Sequence, residues 1–377
     1  MWMIAWVLGA SGSELDEAGR HLAGWRDVVA PDDHFAQDDI PARVYYPALA
    51  EGEGADPDGG RYPLVALLHG WLGSASDLDL MGAHIASWGF VVVMPDTEGE
   101  LFPETDHYTN DGVSLLRWAD AQDTVAGSFL AGAVEDGPWA AVGHSMGGGT
   151  LFDMIVIEPR LDIIVPLEPA DTSAASHTFL QTWTGSALMV AASHDPLVPE
   201  AVVRGWWMDA RSASRAVLAY IEGGGHNGVL DETDPGGLLP HDEQRRLHQR
   251  LAAGFLRAER YGEEDRFGDL IGRGMATEPL RAAAHCVDPA LWLYEDLSGT
   301  HVGMCGATGR WAGIASNTSL GTTPTPLGTL DLANVGVSVV AIERTATGIV
   351  EGEVFSGSGL YLQGVSAGAS TRVLPLP

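Results

Sequence analysis

The chain has 377 residues, of which 45% are hydrophobic, and its formal net charge is −31. This length and apolar content are sufficient for one large core and a smaller second unit, and they exclude a disordered chain. All 20 basic residues are arginines, and so acidic a surface would repel phosphate backbones and anionic lipid headgroups. We therefore expect no nucleic-acid partner.

Residues 1–10 are apolar and are followed by a Ser-Gly-Ser segment. This pattern resembles a shortened signal-peptide core without a basic start, and ten residues are too few to span a bilayer. We therefore expect a secreted or periplasmic protein without integral membrane contact. Residues 1–40 are predicted as an N-terminal segment that precedes the main domain.

Apolar runs alternate with amphipathic segments over the next two hundred or so residues. The runs predicted as strands are residues 42–47, 64–68, 90–94, 139–142, 163–167, 187–192 and 216–221. The predicted helices are residues 77–88, 111–124 and 241–261, together with one that follows Ser145, has its apolar positions between residues 151 and 157, and is ended by Pro159. Continuously apolar strands are typical of a sheet that is buried on both faces, so the pattern predicts an α/β fold with a mostly parallel, doubly wound sheet. In such a sheet the functional groups lie at the carboxyl ends of the strands.

The segment 142–149 reads Val-Gly-His-Ser-Met-Gly-Gly-Gly and contains Gly-x-Ser-x-Gly between a predicted strand and a predicted helix. In an α/β-hydrolase this arrangement puts the serine on a sharp turn with its hydroxyl exposed. Glycine is needed at Gly143 and Gly147 because a Cβ would collide with neighbouring backbone there. We predict that Ser145 is a nucleophile, and the alternative is an inert serine in a glycine-rich helix cap.

An acid and a histidine stand directly after two later predicted strands, at Asp195 and His226. The resulting chain order of serine, aspartate and histidine is the order that this fold requires. In this interpretation His226 takes the Ser145 proton and returns it to the leaving alcohol, while Asp195 holds the imidazole tautomer. Asp171 also follows a strand and is the alternative acid.

The loop after the strand 64–68 reads His-Gly-Trp-Leu-Gly. In α/β-hydrolases this loop supplies one N–H of the oxyanion hole, and the residue after the nucleophile supplies the other. The predicted donors are therefore the backbone amides of Trp71 and Met146. His69 is expected to support the loop without taking a proton.

These motifs resemble the bacterial cutinase and polyester-hydrolase family, the PET hydrolase-like group of the α/β-hydrolases. The similarity covers roughly residues 43–305 and is carried by residues 45–47, 70–73, 88–92, 143–149, 195–199 and 225–226. It implies a secreted serine carboxylic-ester hydrolase of the cutinase, lipase or polyesterase kind, which acts through an acyl-enzyme and needs no cofactor and no metal. The expected partner is an ester substrate, and polymers and lipids are included among the candidates. The protein is expected to be a monomer.

Two other functions remain open at this point. One is an acetylhydrolase of small acyl esters or phospholipids, since related folds host both reactions. The other is a catalytically silent hydrolase fold used for binding.

The resemblance also implies a substrate pocket in which Trp71 lines the acyl site. The family has Thr-Pro-Trp-His after the strand beyond the nucleophile, but residues 168–171 here read Glu-Pro-Ala-Asp. The aromatic side chain is thus lost at Ala170. Trp183, Trp206 and Trp207 are the candidates to replace it, and packing in the core or at the surface is the default interpretation of each. The predicted pocket consists of Trp71, Ala170, Asp171 and Trp183.

The chain has two cysteines, Cys286 and Cys305. They predict a single disulfide, which the family also has near its C-terminus, with two free buried thiols as the alternative. The catalytic domain is expected to span residues 41–305. Residues 306–377 are rich in glycine, threonine, serine and valine and predict a small β-rich C-terminal unit.

Overall fold

The computed structural model describes residues 14–34, 39–233 and 236–263, together with eight short strands between residues 280 and 362. Its helices are α1 (Asp79–Ser87), α2 (Thr105–Gln122), α3 (Met146–Ile157), α4 (Ala174–Leu180), α5 (Glu200–Asp209) and α6 (His241–Tyr261). Two short 3-10 helices span Glu14–Asp16 and Ala75–Leu78.

The main sheet has eleven strands. They are β1 (Leu22–Pro31), β2 (Asp39–Ala48), β3 (Gly52–Glu53), β4 (Leu64–Leu68), β5 (Val91–Pro95), β6 (Trp139–His144), β7 (Leu161–Leu167), β8 (Ser186–Ala192), β9 (Arg215–Ile221), β10 (Leu280–His285) and β11 (Leu293–Glu295). Their spatial order is β11-β10-β9-β8-β7-β6-β4-β5-β2-β1-β3. The pairs from β5 through β4, β6, β7 and β8 to β9 are parallel, and β2, β1, β10 and β11 add antiparallel edges. This confirms the predicted mostly parallel sheet.

Side chains of the central strands alternate between two apolar cores, one on each face of the sheet. In β4, Leu64 and Leu68 belong to the core under α2, α3 and α5, whereas Val65 and Leu67 belong to the core under α1 and α6. All five residues of β4 are buried, and a fully buried Leu or Val stabilises the fold by about 1.5–3 kcal/mol. Burial on both faces explains why the strand is apolar at every position.

The strand β1 lies within the segment predicted to precede the main domain. It pairs with β2 in antiparallel register from Leu22 opposite Ala48 to Pro31 opposite Asp39. Only Gly24 and Ala30 of its ten residues are buried. This exposure is typical of a strand near the sheet edge.

Further along the chain, three strand pairs fall in the region predicted as a β-rich unit. They are β12 (Thr322–Thr325) with β13 (Gly328–Asp331), β14 (Val339–Ala341) with β17 (Leu360–Leu362), and β15 (Glu343–Thr345) with β16 (Gly348–Val350). Residues 1–10, Cys286 and Cys305 lie outside the described residues, so the leader, the disulfide and the domain boundaries stay predictions. None of the described helices combines the length and the hydropathy needed to cross a bilayer.

Candidate active site

Ser145 forms the whole connection between β6 and α3, which end and begin at the residues on either side of it. Its backbone has φ 52° and ψ −113°, a combination that is costly for a residue with a side chain. Hydrogen bonds on both sides of the residue hold it there. The Ser145 N–H donates to the Leu167 carbonyl oxygen and the Ser145 carbonyl oxygen accepts from the Ala170 N–H, both at 2.9 Å.

The glycines around Ser145 are needed for close backbone approach. A Cβ on Gly143 would lie 2.5 Å from the Gly147 carbonyl oxygen, and one on Gly147 would lie 2.4 Å from the His69 carbonyl oxygen. These distances are far below van der Waals contact, so the backbone itself would have to move. The predicted steric requirement for glycine is confirmed at both positions.

The structure brings Ser145, His226 and Asp195 together. The His226 Nε2 atom lies 2.9 Å from Ser145 Oγ, and its Nδ1 atom lies 2.6 Å from Asp195 Oδ2. The Asp195 side chain is fully buried, and its Oδ1 atom accepts the N–H groups of Leu197 and Val198, both at 2.8 Å. Because Nδ1–H donates to a carboxylate, Nε2 is left as an acceptor that can take the hydroxyl proton.

Asp171, the alternative acid, lies elsewhere. Its carboxylate is 60% exposed and its Oδ1 atom is 3.4 Å from Nε2 of His177. His177 contacts Asp209 through its other ring nitrogen, at 2.8 Å. The carboxylate that contacts His226 is therefore that of Asp195.

His144, the residue before Ser145, supports the catalytic loop. Its Nε2–H donates to the His226 carbonyl oxygen at 2.8 Å. Burial lowers the pKa of His144 to about 3, so the ring is neutral at ordinary pH and this bond does not titrate there. Its position next to Ser145 was the only sequence signal that could have pointed to this role.

The two predicted oxyanion donors lie in segments that flank Ser145. Met146 is the first residue of α3, so its N–H cannot be satisfied within the helix. Trp71 lies in a turn closed by the Gly73 N–H and the Gly70 carbonyl oxygen at 3.0 Å. A Cβ on Gly70 would lie only 3.2 Å from Ser145 Cβ, so this turn packs directly against the nucleophile.

His69 contacts the backbone of the same loop. Its Nδ1 atom lies 2.8 Å from the Gly70 carbonyl oxygen, and its Nε2 atom lies 2.9 Å from the Thr97 carbonyl oxygen. These contacts agree with the supporting role predicted for it.

Large apolar side chains are exposed around the carboxyl edge of the sheet, where Ser145 lies. The Trp71 ring is 53% exposed, and its Nε1–H donates to the Leu101 carbonyl oxygen at 3.2 Å. The group that we call the apolar collar consists of Trp71, Leu72, Leu101, Phe102, Leu197 and Leu238. Ala170 and Asp171 follow β7 at the same edge. The sequence prediction identified only Trp71 of the collar.

Trp183 does not belong to this edge, which corrects its predicted pocket role. It is only 8% exposed and precedes β8, at the amino edge of the parallel strands. Its indole packs in the core with the α2, α3 and α5 side chains. The aromatic group lost at Ala170 is therefore not replaced by Trp183.

Comparisons with known proteins agree with this fold. The family described as PET hydrolase-like matches residues 41–226. Cutinase est1 of Thermobifida alba is 28% identical over 156 residues, which are 41% of this chain and 47% of that protein. Cutinase est2 of the same species is 30% identical over 126 residues, 33% of this chain and 38% of that protein.

A bis(hydroxyethyl) terephthalate hydrolase of Streptomyces coelicolor is 28% identical over 162 residues, which are 42% of this chain and 46% of that protein. The chain thus spans less than half the length of these curated relatives. Residues 41–226 therefore resemble the PET hydrolase-like family, and the fold of the chain is that of the α/β-hydrolases.

Proposed function

We propose that the protein is a serine carboxylic-ester hydrolase that acts through an acyl-enzyme. The observation that carries the proposal is the pair of contacts from Ser145 Oγ to His226 Nε2 and from His226 Nδ1 to Asp195, at 2.9 and 2.6 Å. The family of residues 41–226 supports the same reaction class.

In the proposed reaction, Ser145 Oγ attacks the ester carbonyl carbon while its proton passes to His226 Nε2. The oxyanion that forms accepts hydrogen bonds from the Met146 and Trp71 N–H groups, each of which lowers the barrier by about 3 kcal/mol. Collapse of this intermediate releases the alcohol, which takes the proton from His226. Water then attacks the acyl-enzyme with His226 as base, and the carboxylic acid leaves. Asp195 stays ionised throughout and stabilises the imidazolium.

The surroundings of Ser145 support apolar and bulky esters as substrates. The apolar collar presents neutral hydrophobic surface at the edge where the ester would bind. The segment between β7 and β8 contains only the seven-residue helix α4, which is too short to form a lid domain. Two matched relatives are named cutinases and one a bis(hydroxyethyl) terephthalate hydrolase, so we include polymeric esters in the proposal.

Secretion and a monomeric state are further parts of the proposal. The first rests on the apolar residues 1–10. Analytical ultracentrifugation and cell fractionation of the full chain test these two points directly.

Hydrolysis of p-nitrophenyl acetate, butyrate, octanoate and dodecanoate by the wild type and by Ser145→Ala tests the reaction. We expect the variant to lose at least about 10³-fold in kcat with an unchanged circular dichroism spectrum. Turnover confined to the acetate would favour the small-ester acetylhydrolase. Equal, slow release by both proteins would refute the hydrolase and favour a catalytically silent binding protein.

A further inference from the structure

A second carboxylate and imidazole are buried behind the three residues of the proposed reaction. Glu168 follows β7, and His248 lies on α6, 80 residues further along the chain. Both side chains are fully buried, and His248 Nε2 lies 3.0 and 3.2 Å from the two carboxylate oxygens of Glu168. The proposed reaction uses neither residue.

The partners of His248 fix where its protons lie. Its Nδ1 atom is 2.7 Å from the Gln244 carbonyl oxygen, and a carbonyl oxygen can only accept, so Nδ1 carries a proton. Burial raises the pKa of Glu168. Burial alone would lower the pKa of His248, but the Glu168 carboxylate raises it above its ordinary value. The two groups therefore share one proton and are neutral as a unit, which avoids an unpaired buried charge.

The Glu168 side of the pair is joined to the nucleophile. Leu167 and Ala170, on either side of it, make the two backbone hydrogen bonds that hold Ser145. Glu168 itself has φ 43°, in the left-handed region that residues with a side chain rarely adopt. Its N–H donates to the Val190 carbonyl oxygen at 2.9 Å. A strained residue anchored to α6 thus sets the path of the segment that holds Ser145.

The His248 side of the pair is joined to the loop that carries His226. One helical turn earlier, the buried Gln244 accepts the Gly225 N–H on its Oε1 atom at 2.8 Å. A Cβ on Gly228 would lie 2.4 Å from that same Oε1 atom and 3.2 Å from His248 Cε1. The face of α6 formed by Gln244 and His248 therefore packs directly on this loop.

We propose that Glu168 and His248 are positioning residues that couple the Ser145 segment to the His226 loop and so set the distance from Ser145 Oγ to His226 Nε2. The inference rests on the proposed function, because its main measurement is ester turnover. It assigns a role to the position at which the chain departs from the Thr-Pro-Trp-His pattern.

The pair also contributes to the electrostatics of His226. Glu168 lies within electrostatic range of Asp195 after β8, and His144 at the end of β6 lies within range of both His226 and His248. Glu168 is the negative end of the pair, and His226 lies within its electrostatic reach. Replacing either member removes the Glu168 carboxylate or leaves it protonated in its buried site, so both changes take the same negative charge away from the catalytic ring.

The test compares Glu168→Gln and His248→Gln with the wild type on p-nitrophenyl butyrate over a range of pH. We expect kcat to fall by about 10- to 100-fold and KM to change by less than about twofold, because positioning acts on the chemical step. The acidic limb of the kcat/KM profile should move to lower pH in both variants, because each of them loses the negative charge of the Glu168 carboxylate.

The matched control is Glu259→Gln, which removes a carboxylate from the same helix. Glu259 pairs with Arg215 at 2.8 Å, at the amino end of β9 and far from Ser145. We expect the control to lose thermal stability and to keep the wild-type kcat. If the two pair variants behave like the control, with the wild-type kcat and pH profile per folded molecule, the inference is overturned.

If a single variant does not fold, the double variant Glu168→Gln/His248→Gln replaces the pair with two amides that can bond to each other. If the two residues act as one unit, the kcat of the double variant should equal that of a single variant. Two independent residues would instead give a loss equal to the product of the two single losses. The low-field proton resonance of His226 Nδ1–H gives a readout without turnover, and it should shift in every pair variant.

These measurements separate the two proposals. A wild type without Ser145-dependent turnover but with a resonance that responds to the pair variants refutes the proposed function alone. Normal turnover with an unmoved resonance and an unchanged kcat refutes the positioning role alone.

Discussion

The two carboxylate oxygens of Asp195 have different partners. One accepts from His226 Nδ1 and the other from two backbone N–H groups, so Asp195→Asn would keep the shape but present an amide to Nδ1. Because this favours the wrong imidazole tautomer, we expect kcat to fall by about 10⁴-fold with little change in KM. Steady-state kinetics on p-nitrophenyl butyrate measure the loss.

The matched control is Asp171→Asn, since that carboxylate contacts His177 and is largely exposed. Its kcat should stay close to the wild-type value. A large loss in Asp171→Asn together with a small loss in Asp195→Asn would reverse the assignment of the acid.

Asp231 makes stability depend on pH. Burial raises its pKa to about 6, and the nearby Asp79 and Asp77 carboxylates add to the rise while Arg245 opposes it. Since the folded pKa exceeds the ordinary 3.8, the native state binds this proton more tightly. The stabilisation is fully present below about pH 4 and is lost as the pH rises through about 6.

Asp231→Asn removes this loss, because an amide carries no charge at any of these pH values. We expect the melting temperature of the variant, relative to that of the wild type, to increase by a few degrees between about pH 4 and pH 8. Thermal unfolding followed by circular dichroism measures the difference. A constant difference across this pH range would show that the carboxyl group has an ordinary pKa.

At the scale of elements, the turn from β6 to α3 depends on contacts that only glycine permits. In Gly147→Ala the new Cβ would lie 2.4 Å from the His69 carbonyl oxygen, so β4 or α3 must shift. We expect a loss of about 1–3 kcal/mol in the free energy of unfolding and a kcat close to background, since the proposed oxyanion donors, Trp71 and Met146, flank this contact. Urea unfolding and ester turnover check the two effects.

Gly205→Ala on α5 is the matched control. Nothing lies within 4 Å of the added Cβ, and alanine is favoured over glycine inside a helix by about 1 kcal/mol. The control should therefore gain stability and keep its activity. If both variants lost activity equally, the steric explanation of the turn would be wrong.

The sequence predicts best those elements whose hydrophobic residues follow one clear pattern. The strand β4 and the helix α6 have their predicted bounds, because one is apolar throughout and the other has a clear apolar stripe. The strand β1 was missed because it is half exposed near a sheet edge. The helix α5 was missed as well, because its tryptophans were considered singly and not as part of a helical pattern.

Local sequence patterns likewise predicted one part of the candidate site and missed another. The chain order and the strand ends were enough to bring Ser145, Asp195 and His226 into one prediction. The bond from Glu168 to His248 joins residues 80 positions apart on different elements. His248 belongs to no motif, and Glu168 was singled out only as a departure from one. Such a contact depends on how α6 packs on the sheet, which local patterns do not specify.

At the scale of the whole molecule, exposed apolar side chains follow several strands of a chain with a large negative charge. The apolar collar lies at the carboxyl edge of the sheet, while the chain as a whole has a net charge of −31. A neutral hydrophobic surface can therefore approach this edge without electrostatic repulsion, whereas an anionic surface cannot.

This charge makes turnover of charged esters depend on salt. At low ionic strength the Debye length is about 30 Å, and it falls to about 3 Å at 1 M salt, so the repulsion of an anionic substrate is screened as salt is added. We expect kcat/KM for a p-nitrophenyl ester with a carboxylate on its acyl chain to rise with sodium chloride. The neutral ester of equal length is the control and should change little. If kcat/KM for the two esters changed equally with salt, the net charge of the chain would have no effect on the approach of substrate to Ser145.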